Sequence, residues 1–342
     1  MTVWMFGFAY LVPLAVGLLM LAMPKLSRPS TFFAVTVPPG FADSDVGRAI
    51  RRRYFAGVSA VTVLALAAIT PIWGRLDPEP AMAVAHTVAI LIVTFGALGV
   101  FVHCRGRALA YSRSDALRPS IEIQPPDRLA DVVPTPLWLH VLPYLPVLAA
   151  MVWLAINGPV ASNGGEPLGP GVVFGAPLAM LGTLALMHLV MPMALLIRRL
   201  PGHRSRVQAI NRMLLWMMGL VGLLGAWTSL GVLYGEDWIT GPLGASIQIA
   251  LIVGLLIVPL AMWSTGRFDR PGQPDEGDRS PDRAWKLGMI YFNPDDPALW
   301  LEKRFGVGYT LNFGRPMAWV LVLAMLGGTA LLVAWAIAAT GA

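Results

Sequence analysis

Three sets of residues in this chain carry side chains able to do chemistry. The run Tyr291-Phe-Asn-Pro-Asp-Asp-Pro297 brings Asn293, Asp295 and Asp296 close together, hard oxygen donors of the kind that hold a divalent cation. The same residues have a local use. Asp296 ahead of Pro297 is an N-cap followed by a favoured first helical residue, and Gly306 after Lys303, Arg304 and Phe305 is a helix stop, so the spacing predicts a short helix over Pro297–Phe305. Capping and turn formation account for the carboxylates, and no metal is assigned. Tyr291, Asn293, Pro294, Asp295, Asp296, Pro297, Lys303, Arg304 and Asn312 form the candidate functional motif. The second set is His140 and His188, the intramembrane polar candidates. At about 1.5 Å rise per residue they differ in depth by about 6 Å, too much for a bis-histidine haem, so interhelical hydrogen bonding or an interfacial position is expected. The third is Cys104, the one cysteine, which excludes an internal disulfide and thiolate metal clusters.

The elements that must position these groups are apolar. Eight runs have roughly the 20 residues needed to cross a hydrocarbon core: Val3–Met23, Tyr54–Trp73, Ala81–Val102, Thr135–Asn157, Val172–Ile197, Met213–Tyr234, Pro242–Thr265 and Met317–Thr340. All but one of the 25 Lys and Arg, the exception being Arg75, fall on alternating loops between these runs. Basic loops stay on the cytoplasmic side. The expected fold is therefore an all-α integral membrane bundle of about eight transmembrane helices, with both termini outside. Val3–Met23 has no basic residue ahead of it and reads as a retained helix rather than a cleaved signal.

Beneath the bundle the sequence predicts a small cytoplasmic α+β cap built from loops. Leu287–Phe292 and Gly308–Phe313 have the aromatic and branched content of short strands, and Phe32–Val37 offers a third. The organisation is a seven-helix part over residues 1–265, a linker over 266–284 rich in Pro, Gly and charge, the motif domain 285–316, and the eighth helix in 317–342. Pro13, Pro143, Pro146, Pro177, Pro192 and Pro259 lie inside spans, with His140-Val-Leu-Pro143-Tyr-Leu-Pro146 the expected site of distortion. Gly219, Gly222 and Gly225 leave a strip for close helix approach within the bundle.

Composition narrows the function classes. The chain is 56% hydrophobic and 13% charged, far from the balance of a soluble domain. Its net charge of +6 is spread over four surface loops, which suits anionic lipid heads rather than nucleic acid. All 19 Asp and Glu fall in the predicted loops, which argues against an acid-based proton relay. No nucleophile–base pair, metal-ligand spacing or phosphate loop appears, so neither an enzyme nor a cofactor is expected.

Tyr291-Phe-Asn-Pro-Asp-Asp-Pro297 with Lys303-Arg-Phe-Gly-Val-Gly-Tyr-Thr-Leu-Asn-Phe-Gly314 resembles the hallmark of a family of bacterial multi-span membrane proteins with a C-terminal domain of unknown function. Phe33-Ala-Val-Thr-Val-Pro38 and Arg51-Arg-Arg-Tyr54 are similar to that family's first internal loop. A weaker similarity links Pro159-Val-Ala-Ser-Asn-Gly-Gly-Glu-Pro167 to an outward loop in a module of the Sdp toxin immunity protein, without that loop's histidine and aromatic residue. These resemblances imply a bacterial inner-membrane protein whose motif loop is cytoplasmic. Its expected partners are the lipid bilayer and a peptide or small hydrophobic ligand. The expected role is a non-enzymatic sensor or immunity and envelope-stress factor; the alternative is a transporter of a peptide, lipid or small hydrophobic solute.

Overall fold

A computed structural model describes residues 3–27, 31–72, 78–113, 135–157, 170–193, 203–234, 241–264, 280–306 and 308–340. Within them the chain is mostly helical, with three small two-stranded antiparallel sheets. The helices are α1 (Val3–Leu26), α2 (Asp45–Ile69), α3 (Pro78–Leu109), α4 (Leu137–Val141), α5 (Leu145–Asn157), α6 (Pro170–Met193), α7 (His203–Tyr234), α8 (Pro242–Ser264) and α9 (Pro316–Thr340). Each of the eight apolar runs is helical over most of its described residues, and the run Thr135–Asn157 is divided into α4 and α5. Three helical stretches among the described residues are long and apolar enough to cross a membrane: Asp45–Ile69, Val84–Leu109 and Ile210–Gly231. The others are apolar but shorter over their described side chains, so the eight crossings expected from sequence are not reached on this measure.

The chain divides into two compact units. The first comprises residues 1–124, 197–202 and 270–315. Here α1, α2 and α3 pack together. Two glycines set the approach of α2 and α3: a Cβ on Gly57 would meet Val100, and one on Gly96 would meet Val61. As the position on α2 rises its partner on α3 falls, so the helices run antiparallel. The start of α2 is local chemistry. Ser44 caps it by accepting the Gly47 N–H at 3.1 Å, and the helix begins nine residues before the predicted Tyr54, taking Arg48 and Arg51–Arg53 into its first turns. Along α2 and α3, Val63, Leu64, Leu91, Ile92 and Phe95 point outward. Exposed apolar side chains on helices long and apolar enough to cross a membrane are consistent with membrane localisation.

The strands also lie in this unit: β1 (Thr31–Phe32) with β2 (Val35–Thr36), β3 (Trp285–Lys286) with β4 (Ile290–Tyr291), and β5 (Trp300–Glu302) with β6 (Tyr309–Leu311). The predicted strands Phe32–Val37 and Leu287–Phe292 are thus each part of a hairpin with a tight turn. Gly308–Phe313 contains β6 as expected. The predicted helix Pro297–Phe305 is overturned, since its centre is β5, whose residues are all buried. A parallel bridge between Tyr291 and Asn312 links the last two hairpins.

The second unit comprises residues 125–196, 203–269 and 316–342, with α4 to α9. Its core is Leu139, Val147, Ala150, Leu184, Leu215 and Met218. The break at Leu142–Tyr144 falls at Pro143, which has no N–H to continue the ladder. Gly222 on α7 fits against it so closely that a Cβ would stand 2.2 Å from the Pro143 carbonyl oxygen. Gly225 likewise receives Met180, so the glycine strip works inside this unit.

Candidate functional site

The cap is built around two polar centres. The first begins with an improbable turn. Phe33 and Ala34 join β1 to β2 with φ of 48° and 60°, the arrangement of a type I′ hairpin, which normally takes Asn or Gly. Left-handed backbone costs an L-residue about 1–2 kcal/mol. Two effects offset it. The Phe33 ring is buried against Phe32, Tyr54 and Phe101, worth about 1.5–3 kcal/mol. The turn carbonyls also accept from buried guanidiniums: Arg105 donates to Ala34 O at 2.6 Å and Phe33 O at 3.5 Å, and Arg304 to Ala34 O at 3.3 Å.

Arg105 projects from the last turns of α3 and donates further to the carbonyls of Asp282 at 3.1 Å and Trp285 at 3.0 Å. Arg304 forms a fully buried ion pair with Asp282, donates to Ser280, and lies 5.1 Å over the Trp285 ring. The Asp282 carboxylate takes the Thr36 N–H at 3.2 Å, the Thr36 hydroxyl at 3.1 Å and the Ser112 hydroxyl at 2.5 Å. Three remote parts of the chain, the α1–α2 loop, the end of α3 and the segment 280–304, therefore meet on one carboxylate and two guanidiniums. The sequence reading counted Arg105 and Arg304 among the lipid-facing basic residues; both are buried, at 4% and 0% exposure. Burial requires pairing, because a charge removed from water without a partner costs several kcal/mol.

The second centre is Asn312, itself fully buried. Its Oδ1 accepts the N–H of Asn293 at 2.9 Å and of Gly314 at 3.0 Å. Its Nδ2 donates to the carbonyls of Asn293 at 2.7 Å, Asp296 at 3.1 Å and Ala298 at 3.1 Å. Tyr291 donates its hydroxyl to Asp296 Oδ2 at 2.9 Å and accepts from Asn293 Nδ2 at 3.1 Å. Asp296 Oδ1 accepts from Ala298 N at 2.9 Å, and Asn293 Oδ1 from Asp295 N at 3.2 Å. Gly314 closes the knot: a Cβ there would sit 2.5 Å from Pro294 N.

This arrangement explains why Pro297–Phe305 is not helical. The carbonyls of Asp296, Ala298 and Leu299 are taken by Asn312, the last by its backbone N–H at 2.8 Å, so three of the four carbonyls that a first helical turn would use are already engaged. It also shows what the motif's oxygens do. The donors from Asn293 and Asp296 turn onto backbone and Tyr291 rather than converging on a cation, and among the described residues no group of three or more His, Cys, Asp or Glu could hold a metal ion. Pro294, Asp295, Pro297 and Lys303 are exposed, Lys303 being held through its backbone N–H on Gly308 O at 2.9 Å. Of the predicted motif, Tyr291, Asn293, Asp296 and Asn312 come together in one knot, and Arg304 belongs to the other. Sequence reasoning missed Arg105, Asp282, Ser280, Thr36 and Ser112. The one available signal was an arginine, Arg105, at the end of an apolar run.

In the second unit the two histidines make the interhelical hydrogen bond expected from the sequence, although the count of depth along each helix set them apart. His140 Nδ1 and His188 Nε2 are 2.9 Å apart, an interhelical hydrogen bond, with Tyr144 stacked on His188 at 5.8 Å. His188 Nδ1 has no hydrogen-bond partner among the described residues. The stretch Pro159–Pro167, which carried the similarity to the immunity module, lies outside the described residues, as does most of the linker 266–284.

Comparison with known proteins adds one match. Residues 294–319 match a family of unknown function (DUF5808), a segment that takes in Asp296, Arg304, Asn312 and Gly314 and runs into the first turn of α9. No curated protein and no solved structure matches the chain.

Proposed function

We propose that this chain is a multi-pass bacterial inner-membrane protein of eight spans with both termini outside, working as a non-enzymatic sensor or immunity and envelope-stress factor. The observation that carries the reading is the use made of the motif. Its Asn, Asp and Arg side chains satisfy one another and the backbone, joining the cap to the end of α3 through Arg105, Asp282 and Arg304. Groups so engaged serve coupling between a membrane helix and a cytoplasmic module better than catalysis. The outward apolar residues of α2 and α3 support the membrane assignment, and the alternation of basic loops supports the orientation. Reporter fusions after Asn163 and after Asp278 test the topology and belong in opposite compartments. A deletion strain tests the role: its tolerance to membrane-active peptides or envelope stress falls. An unchanged tolerance rejects this role.

A second reading, transport of a peptide, lipid or small hydrophobic solute, is favoured by the broken helix at Pro143, since interrupted spans are where carriers bind their cargo. Protein reconstituted in liposomes that moves a candidate solute would select it over the first.

A further inference from the structure

The β3–β4 hairpin has two faces. Trp285 and Tyr291 are buried in the cap, while Ile290 on the opposite face, Leu287 in the turn and Phe292 after β4 are exposed at 44%, 53% and 47%. Lys286 pairs across the strands with Ile290, so a cation stands beside this apolar face. Its Nζ donates to the Arg283 carbonyl at 3.2 Å, and both basic side chains are exposed.

Nothing local explains Leu287. It opens the turn at φ 52°, where Asn or Gly is favoured and a leucine is strained. Burial does not compensate, as it does for Phe33. An apolar side chain held in an unfavourable backbone conformation and left half exposed has its use outside the chain. The neighbouring residue tells where. A Cβ on Gly288 would touch Arg105 Cδ at 2.9 Å, Phe101 Cζ at 3.0 Å and Ala34 Cβ at 3.1 Å. The hairpin tip therefore lies against the stretch of α3 where the apolar span gives way to the exposed His103 and Arg107. That is the level at which a spanning helix leaves the acyl region.

We infer that the β3–β4 hairpin is an interfacial anchor, which sets Leu287, Ile290 and Phe292 into the headgroup and acyl boundary of an anionic leaflet while Arg283 and Lys286 contact lipid phosphates. Three apolar side chains flanked by two basic ones match the chemistry of interfacial membrane contact. The inference rests on the membrane reading above, and deepens it by fixing the cap against the bilayer rather than in free cytoplasm.

The test uses the full-length protein in nanodiscs of phosphatidylcholine, with or without phosphatidylglycerol. Leu287→Cys, Asp295→Cys and Phe95→Cys are each labelled with an environment-sensitive fluorophore. The unsubstituted protein, whose Cys104 is buried, is the labelling blank. Phe95, 64% exposed on α3, reports the span, and Asp295 the exposed part of the cap. With anionic lipid, the Leu287 label is quenched by lipids carrying a nitroxide near the headgroup and is about threefold less accessible to iodide than the Asp295 label. Arg283→Glu with Lys286→Glu returns its quenching to the value in phosphatidylcholine alone. If the Phe95 label is lipid-quenched while the Leu287 label behaves like Asp295, the anchor is refuted and the membrane reading stands. If neither Phe95 nor Leu287 is lipid-quenched, both fall. Lipid quenching at Leu287 that is insensitive to the charge reversal overturns the anionic assignment.

Discussion

Replacing Asp282 should release the cap from α3. Its carboxylate pairs with the buried Arg304, and it also receives two donors from Thr36 and one from Ser112. Breaking a buried ion pair by removing one partner costs about 3–5 kcal/mol, because the remaining charge is left without water or counter-charge. Asp282→Asn keeps the shape and some acceptor capacity and should fall near the low end, about 3 kcal/mol; Asp282→Ala should approach about 5. At about 1.4 kcal/mol per decade, the cap's local opening equilibrium rises by roughly two to nearly four decades. Hydrogen exchange in nanodiscs reads this directly at the amides of Thr36, which bonds the carboxylate, and Asn293, which bonds Asn312. The companion measurement is Arg304→Met and Asp282→Leu, each alone and the two combined. Removing both charges should cost about 1–3 kcal/mol less than the two single changes added together. Unchanged exchange in Asp282→Ala, or strict additivity in the double variant, refutes the claim that the pair holds the cap.

Asn312→Ala strips five hydrogen bonds from a buried position, and each group left unpaired costs about 1–3 kcal/mol, so protease resistance of the segment 285–315 should be lost. Gly288→Ala and Ala34→Gly should act in opposite directions. The first adds a Cβ against Phe101 and Arg105 at φ +79° and lowers cap stability, whereas the second relieves about 1 kcal/mol of left-handed strain, both read by the same exchange experiment. Gly222→Ala should lower the thermal stability of the detergent-solubilised protein by at least about 2 kcal/mol, since its methyl would overlap the Pro143 carbonyl and force α7 from the break between α4 and α5. Retained stability there would mean that the helices pack otherwise.

Much of the candidate site was visible as sequence, though its purpose was not. Tyr291, Asn293, Asp296 and Asn312 stood out as members of the candidate motif, Asn293 and Asp296 also for their oxygens and Asp296 as a cap. Which partners they take depends on Asn312 arriving from a segment beyond β5, and no local rule places it. The Asp296-Pro297 pair illustrates the failure. Its capping chemistry is real, yet Asn312 claims the carbonyls a helix would use, and a tertiary contact overrides the local preference. Phe33-Ala34 misled for the converse reason: residues suited to a strand are bent into a left-handed turn by Arg105, more than seventy positions away. The contact of His140 with His188 depends on how α4 and α6 are set side by side, which no count along a single helix provides.

What the sequence by itself determined is where the helices run. Length, apolarity and the positions of Gly and Pro act within one turn or one span, so all eight apolar runs are helical over most of their described residues, and Ser44 sets the true start of α2. Tertiary structure alone decided which charges are solvent's and which belong to the interior. Neither Arg105 nor Arg304 shows its partner in the sequence. They become structural only when Asp282 and the Phe33-Ala34 carbonyls are folded onto them, because the low dielectric that makes a buried charge costly also makes its pairing specific.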